Sequence, residues 1–224
     1  RGAEGGEGQE GMNTVFVSTT NVDGWLRRVV GGSVHEVHGS VHRWQCSGVP
    51  QVVTKAMWMQ KMEPCCTELF PPPPNPFAGE VSPDSKQLLP SVSLPLCPRC
   101  SLLLRPNVYL FGDGKNFVER GNLSGASTGI STAEYDSWVE GVKSALKSKP
   151  TLKLVILEIG CGLRVPSLRK KGEELSRDLG AQASLVRINP EYPSNPLVHP
   201  PTVGVKSKGL AALRRIDALW TESA

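Results

Sequence analysis

Apolar side chains in this chain come in short runs cut by Gly, Asn and Pro, and the period of each run assigns its element. The β-branched and aromatic run TVFVST, Thr14 to Thr19, predicts a buried strand that ends in a loop at Asn21 and Gly24. Ser131 and Glu134 form a capping box, and Tyr135, Trp138, Val139, Val142 and Leu146 follow at helical spacing. LKLVILEI, Leu152 to Ile159, reads as a strand buried on both faces, as in parallel sheets, and runs straight into Gly160, Cys161 and Gly162. Leu168, Leu175 and Leu179 predict a helix stopped at Gly180. ASLVRI, Ala183 to Ile188, is a further strand ending at Asn189, and Leu210, Leu213, Ile216 and Leu219 mark a closing helix. Strand and helix alternating in this rhythm imply right-handed βαβ units, hence an α/β fold with a doubly wound parallel sheet.

Two stretches fall outside this grammar. Residues 1–11 carry no apolar side chain larger than Ala and are expected to be a disordered leader. Ten of the 19 prolines lie between Pro64 and Pro98, including PPPPNP at 71–76, which cannot supply ladder or helix donors. A Pro-rich loop over 64–95 is the expected result, with Trp58 and Trp138 packing elsewhere. In parallel sheets ligands sit at the carboxyl ends of strands, which selects TTNVDG, GCG and NPE.

Composition narrows the function classes. Charge is nearly balanced, 25 Lys and Arg against 21 Asp and Glu, and scattered, so no nucleic-acid partner is expected. No stretch approaches the ~20 apolar residues of a membrane span and the first residues lack a signal-type apolar run, so an intracellular location, cytoplasmic or nuclear, is expected. Six cysteines, two of them spaced CxxC at Cys97 and Cys100, read as metal ligands or free thiols rather than as a disulfide framework.

The stretch TTNVDGWLRRVVGGSVHEVHGSVHRWQC, Thr19 to Cys46, resembles the sirtuin signature: a strand, an Asn-x-Asp loop, then a His-Gly pair before the first zinc cysteine. CPRC followed by LLLRPNVYLFGD resembles the family's second cysteine pair and adjoining substrate strand, IGCGLRVPS its Gly-rich nucleotide loop, and RINPE the strand end at the adenine ribose. The nearest likeness is to a divergent branch reading TSNVDG and RPN-FGD. The resemblance implies an NAD-dependent protein-lysine deacylase that moves an acyl group from lysine to ADP-ribose and releases nicotinamide. Its fold would be a Rossmann-like domain over 12–45 and 105–224 with a small zinc module over 46–104.

The resemblance carries roles residue by residue. His38 is the implied base, deprotonating a ribose hydroxyl once the acyl oxygen has displaced nicotinamide, and an imidazole suits proton transfer near pH 7. His35 and His42 are ordinary positions beside it. Asn21, Asp23, Gly160, Gly162, Asn189 and Glu191 are the implied NAD contacts. For Asn21 and Asp23 the bland alternative is an Asx turn, and for the glycines a tight strand-to-helix turn. Phe111 and Gly112 would line a tunnel for the acylated lysine of a protein substrate, or form a plain core strand and turn. Structural zinc takes four N or S ligands. Cys46, Cys97 and Cys100 match the family, but Val49 stands where the fourth cysteine is expected, leaving Cys66 or Cys65 to replace it. Cys161 is expected to be a packed thiol.

One departure is upstream. Relatives carry a GAG-type turn and a PDFR-like segment over the pyrophosphate and nicotinamide, and nothing in residues 1–18 resembles either. The chain as numbered is therefore expected to bind NAD poorly, and two other functions stand beside the deacylase. One is a catalytically impaired scaffold or binding protein on the same frame, the other a different NAD-consuming enzyme such as an ADP-ribosyltransferase.

Overall fold

The computed structural model describes residues 15–31, 34–50, 64–73, 94–110, 112–119, 131–194 and 202–223. The expected leader, Trp58, Phe111 and most of the Pro-rich loop lie outside these. Two units divide the chain, Arg1–Tyr135 and Asp136–Ala224. Parallel sheets with helices occur in both, as the alternating pattern requires.

In the first unit, β1 (Val17–Thr19) leads into a loop and a short helix α1 (Trp25–Val30), and β2 (Val34–Glu36) pairs with β1 in parallel. The hydrophobic pattern gave no sign of α1, because its apolar residues Trp25, Leu26, Val29 and Val30 are exposed rather than facing a core. A separate antiparallel sheet has the order β4-β3-β5, built from β3 (Gly39–Cys46), β4 (Leu69–Phe70) and β5 (Leu104–Val108). Its core is Trp44, opposite Phe70, and the fully buried Cys46. Helix α2 (Thr132–Ser148), whose first turn closes this unit and whose remainder belongs to the second, starts at the expected capping box: Ser131 N–H donates to Glu134 Oε2 (2.6 Å) and Glu134 N–H to Ser131 Oγ (3.2 Å).

The second unit contains a parallel sheet in the order β6-β7-β8, formed by β6 (Leu154–Ile159), β7 (Ala183–Ile188) and β8 (Val203–Val205). Helix α3 (Ser167–Leu179) connects β6 to β7, and α4 (Gly209–Ser223) follows β8. Two expectations need correction. β6 is not buried on both faces: among the described residues it is an edge strand of this sheet, and Val155, Leu157 and Ile159 stand exposed on one side. The side chains that α3 buries are polar, Arg169, Glu173 and Ser176, while Leu168, Leu175 and Leu179 are only half-buried.

The reason lies under the helix. Arg187 on β7 is fully buried and is gripped by Glu158 of β6 and Glu173 of α3, the latter at 2.8 Å, with Arg169 beside Glu173 at 3.4 Å. A buried guanidinium requires such partners, so the helix turns its acids inward. Burial pushes the Glu158 carboxyl above its ordinary range, against the pull of Arg187. Arg187→Met is therefore expected to cost about 3–5 kcal/mol at pH 7, because buried Glu158 loses its counter-charge and Glu173 keeps only Arg169. The loss should shrink at pH 5, where protonation removes the stranded charge. Urea unfolding at both pH values measures it, and a loss below about 1 kcal/mol would mean the network contributes little.

Candidate functional site

Three sequence segments converge at the carboxyl end of β1. Val37 N–H donates to Thr19 O, Val41 N–H to Val22 O, and Tyr109 N–H to His38 O, each at 2.9 Å. His42 Nε2 donates to Asp23 O at 2.9 Å, which locks the Asn21–Asp23 loop against the start of β3. The turn carrying His38 is thus tied both to the loop after β1 and to the end of β5. Sequence order separates these segments by up to about 90 residues, so only folding brings them together.

His38 is half-buried and its ring stacks on Tyr109, centroids 6.0 Å apart, while Tyr109 meets Phe117 edge-on at 5.3 Å. Burial lowers the His38 pKa from its ordinary 6.5, which keeps the imidazole neutral and able to accept a proton at pH 7. Gly39 beside it has φ +79°, and a Cβ there would sit 2.0 Å from Asn107 O. Asn107 is fully buried and donates from Nδ2 to Gln45 Oε1 (2.8 Å) and Val118 O (3.0 Å), so the strand cannot give way. Gly39→Ala should destabilise the protein by about 2–5 kcal/mol, from the left-handed backbone plus the clash. Thermal unfolding checks it, and a shift under 2 °C would contradict the packing.

His35 is buried between Tyr135, stacked at 5.3 Å, and Phe16, with Ser18 Oγ 3.3 Å from Nδ1. Asn21 and Asp23 are exposed at the strand end, and Asp23 Oδ1 accepts from Trp25 N–H at 3.0 Å, an Asx turn that starts α1. Gly112 is exposed, and the loop containing it is held by Asp113, whose Oδ2 accepts from Leu110 N–H (2.8 Å) and Arg105 (2.9 Å). The expectation for Phe111 lies outside the described residues.

At the far end of β3 a thiol cluster assembles. The sulfurs of Cys46, Cys66, Cys97 and Cys100 all lie within 4.8 Å of one another. Cys46 and Cys100 are 3.7 Å apart, Cys66 and Cys97 3.4 Å. Four thiolates at ~2.3 Å from a tetrahedral zinc stand ~3.8 Å apart, so the set fits that ion. Gly48 N–H points at Cys46 Sγ, 3.4 Å away, and this and other hydrogen bonds outweigh burial to hold the Cys46 thiol below its ordinary value. Burial pushes Cys66 up, and hydrogen bonding with Cys65 pushes Cys100 to about 12.

Val49 does not leave a gap. Its carbonyl accepts from Leu103 N–H at 2.8 Å, so the backbone there serves the sheet, and Cys66 fills the fourth corner from the segment before β4. Sequence spacing could not choose between Cys65 and Cys66. The segment that carries both is held beside the CPRC turn by β4 pairing with β3 and by Glu68, which grips Arg99 at 2.7 Å. Cys65 is exposed and outside the four-sulfur set.

In the second unit, Gly160 has φ +72°, a conformation side chains rarely adopt, and a Cβ would meet nothing within 4 Å there or at Gly162. Asn189 is buried, donating to Cys161 O (3.1 Å) and accepting from the N–H groups of Glu191 and Tyr192 (both 2.9 Å). Its amide shapes the rim of this strand end. Glu191 is exposed, and Cys161 is half-buried, its thiol raised by burial.

The family model described as the Sir2 family matches residues 7–125, more than half of the chain. A crystal structure of a Sir2 homologue in complex with NAD aligns with a TM-score of 0.51 and 16% identity, over 93% of this chain and 59% of that one. A mutant Sir2 homologue in complex with ADP-ribose gives 0.46 and 15%, over 92% and 61%. The chain therefore spans about three fifths of the length of either structure. No curated protein matches it. With the family model covering most of the first unit and the fold shared with a Sir2 homologue, this chain belongs to the Sir2 family.

Proposed function

We propose that this chain carries the catalytic base and zinc module of an NAD-dependent protein-lysine deacylase. The observation that carries the reading is the bolted junction of the Asn21–Asp23 loop, the His38–Gly39 turn and the end of β5, with a neutral, half-buried imidazole at its centre. His38 accepts the proton of a ribose hydroxyl as the acyl group moves to ADP-ribose. Asn21 and Asp23 face solvent at the strand end, placed to hold ribose and nicotinamide groups. Gly160 and Gly162 leave open space in which a nucleotide can approach the backbone, and Asn189 and Glu191 form the edge that would take the adenine ribose. Gly112, exposed in the loop after β5, would border the path of an acylated lysine. Cys46, Cys66, Cys97 and Cys100 hold zinc, which supplies folding energy rather than chemistry.

The test incubates the full-length protein with NAD and an acetyl-lysine peptide. Nicotinamide and deacetylated peptide released in equal amounts are expected. Nicotinamide release with ADP-ribose attached to protein and the peptide still acetylated would favour the ADP-ribosyltransferase reading, and no NAD consumption the scaffold.

A further inference from the structure

A fifth thiol stands against the four-sulfur set. Cys65 Sγ lies 3.5 Å from Cys46 Sγ, and Cys65 is exposed while Cys46 is fully buried. Ligand status divides the two: Cys46 belongs to the set that fits zinc, Cys65 does not. A metal-bound thiolate has its charge drawn to the ion, whereas an exposed thiol outside the set remains open to oxidants.

We propose that Cys65 is a redox-modification site whose oxidation captures Cys46 as a disulfide and releases the metal; this rests on the four-cysteine zinc reading above. The oxidant is hydrogen peroxide. Cys65 sulfur attacks the peroxide O–O bond, giving sulfenic acid and water. Cys46 sulfur, leaving the metal as a thiolate, then attacks the sulfenic sulfur, the S–S bond forms, and the hydroxide leaves, taking a proton from solvent to become a second water. Two thiols lose two electrons, and one peroxide is reduced to two waters. The sulfurs must close from 3.5 Å to about 2.05 Å, a short step for a residue on the segment before β4. With Cys46 withdrawn, three thiols remain and a tetrahedral site cannot close.

The geometry also makes the identity of the disulfide partner readable. Cys46 lies on the tryptic peptide ending at Lys55, whereas Cys65 and Cys66 share the one ending at Lys86, so mass spectrometry sees the cross-link and a substitution separates the two candidates. Full-length wild type and Cys65→Ser are purified reduced, zinc is counted, and hydrogen peroxide is added while released zinc is followed with a colorimetric chelator. Wild type should release zinc together with a cross-linked peptide pair two hydrogens lighter. Cys65→Ser should retain its zinc at the start, release it at least about tenfold more slowly, and lack the cross-link. Equal release rates, or a cross-link that persists in Cys65→Ser, would overturn the proposal, as would loss of zinc from the reduced variant, which would make Cys65 a ligand. Zinc absent from reduced wild type counts against the metal reading instead, and the cross-link then decides the role of Cys65 by itself.

Discussion

Replacing His38 with Ala in the full-length protein should lower nicotinamide release by about 10²–10⁴-fold, the usual contribution of a positioned general base. The fold should survive. His38 lies at the junction through its backbone carbonyl, which any residue supplies, and its ring stacks on Tyr109 at the half-buried edge of the site. Loss of that contact costs about 1 kcal/mol. The acid limb of the wild-type rate profile provides a second reading. Burial disfavours the imidazolium, so His38 stays a free base to a lower pH than an exposed histidine, and activity should fall only below pH 6.5. Circular dichroism and nicotinamide release measured on one preparation settle both points. Turnover unchanged in a folded His38→Ala protein would refute the assignment.

Removing the metal should have the larger structural effect. Structural zinc contributes an apparent ~10–16 kcal/mol to small modules, as much as the whole stability of a typical domain. The sheet of β3, β4 and β5 has a small apolar core, chiefly Trp44, Cys46 and Cys97, and cannot replace that amount. Cys97→Ser, at a fully buried ligand, should reduce zinc from about one per chain to well below that and abolish the near-ultraviolet signal of the packed aromatics. Activity should fall as well, because β3 begins at Gly39 and ends at Cys46: a metal held there would anchor one end of the strand that holds the His38 turn at the other. Zinc near zero in reduced wild-type protein purified without chelator would sink this account.

Periodicity and spacing in the sequence already determined the βαβ rhythm of the second half, the capping box of α2, the strand end at Asn189 and the cysteine pair of the metal module. These depend on local chemistry: helical spacing, a carboxylate three residues after a serine, β-branched runs stopped by glycine. The resemblance of its motifs to sirtuins pointed to His38 and to three of the four sulfurs. Tertiary structure decided the rest. Cys66 rather than Cys65 belongs to the four-sulfur set, a difference between adjacent residues that no spacing encodes. Arg169, Glu173 and Ser176 occupy the inner face of α3 because a buried Arg187 on the strand beneath needs acids, whereas helical periodicity alone assigns that face to the leucines. Likewise, β6 reads as doubly buried from its composition, yet composition cannot show that a strand lies at an edge with one face open. Short-range rules act along a few residues of chain. Burial, charge pairing and ligand convergence depend on what the fold lays alongside, and only the assembled structure contains that.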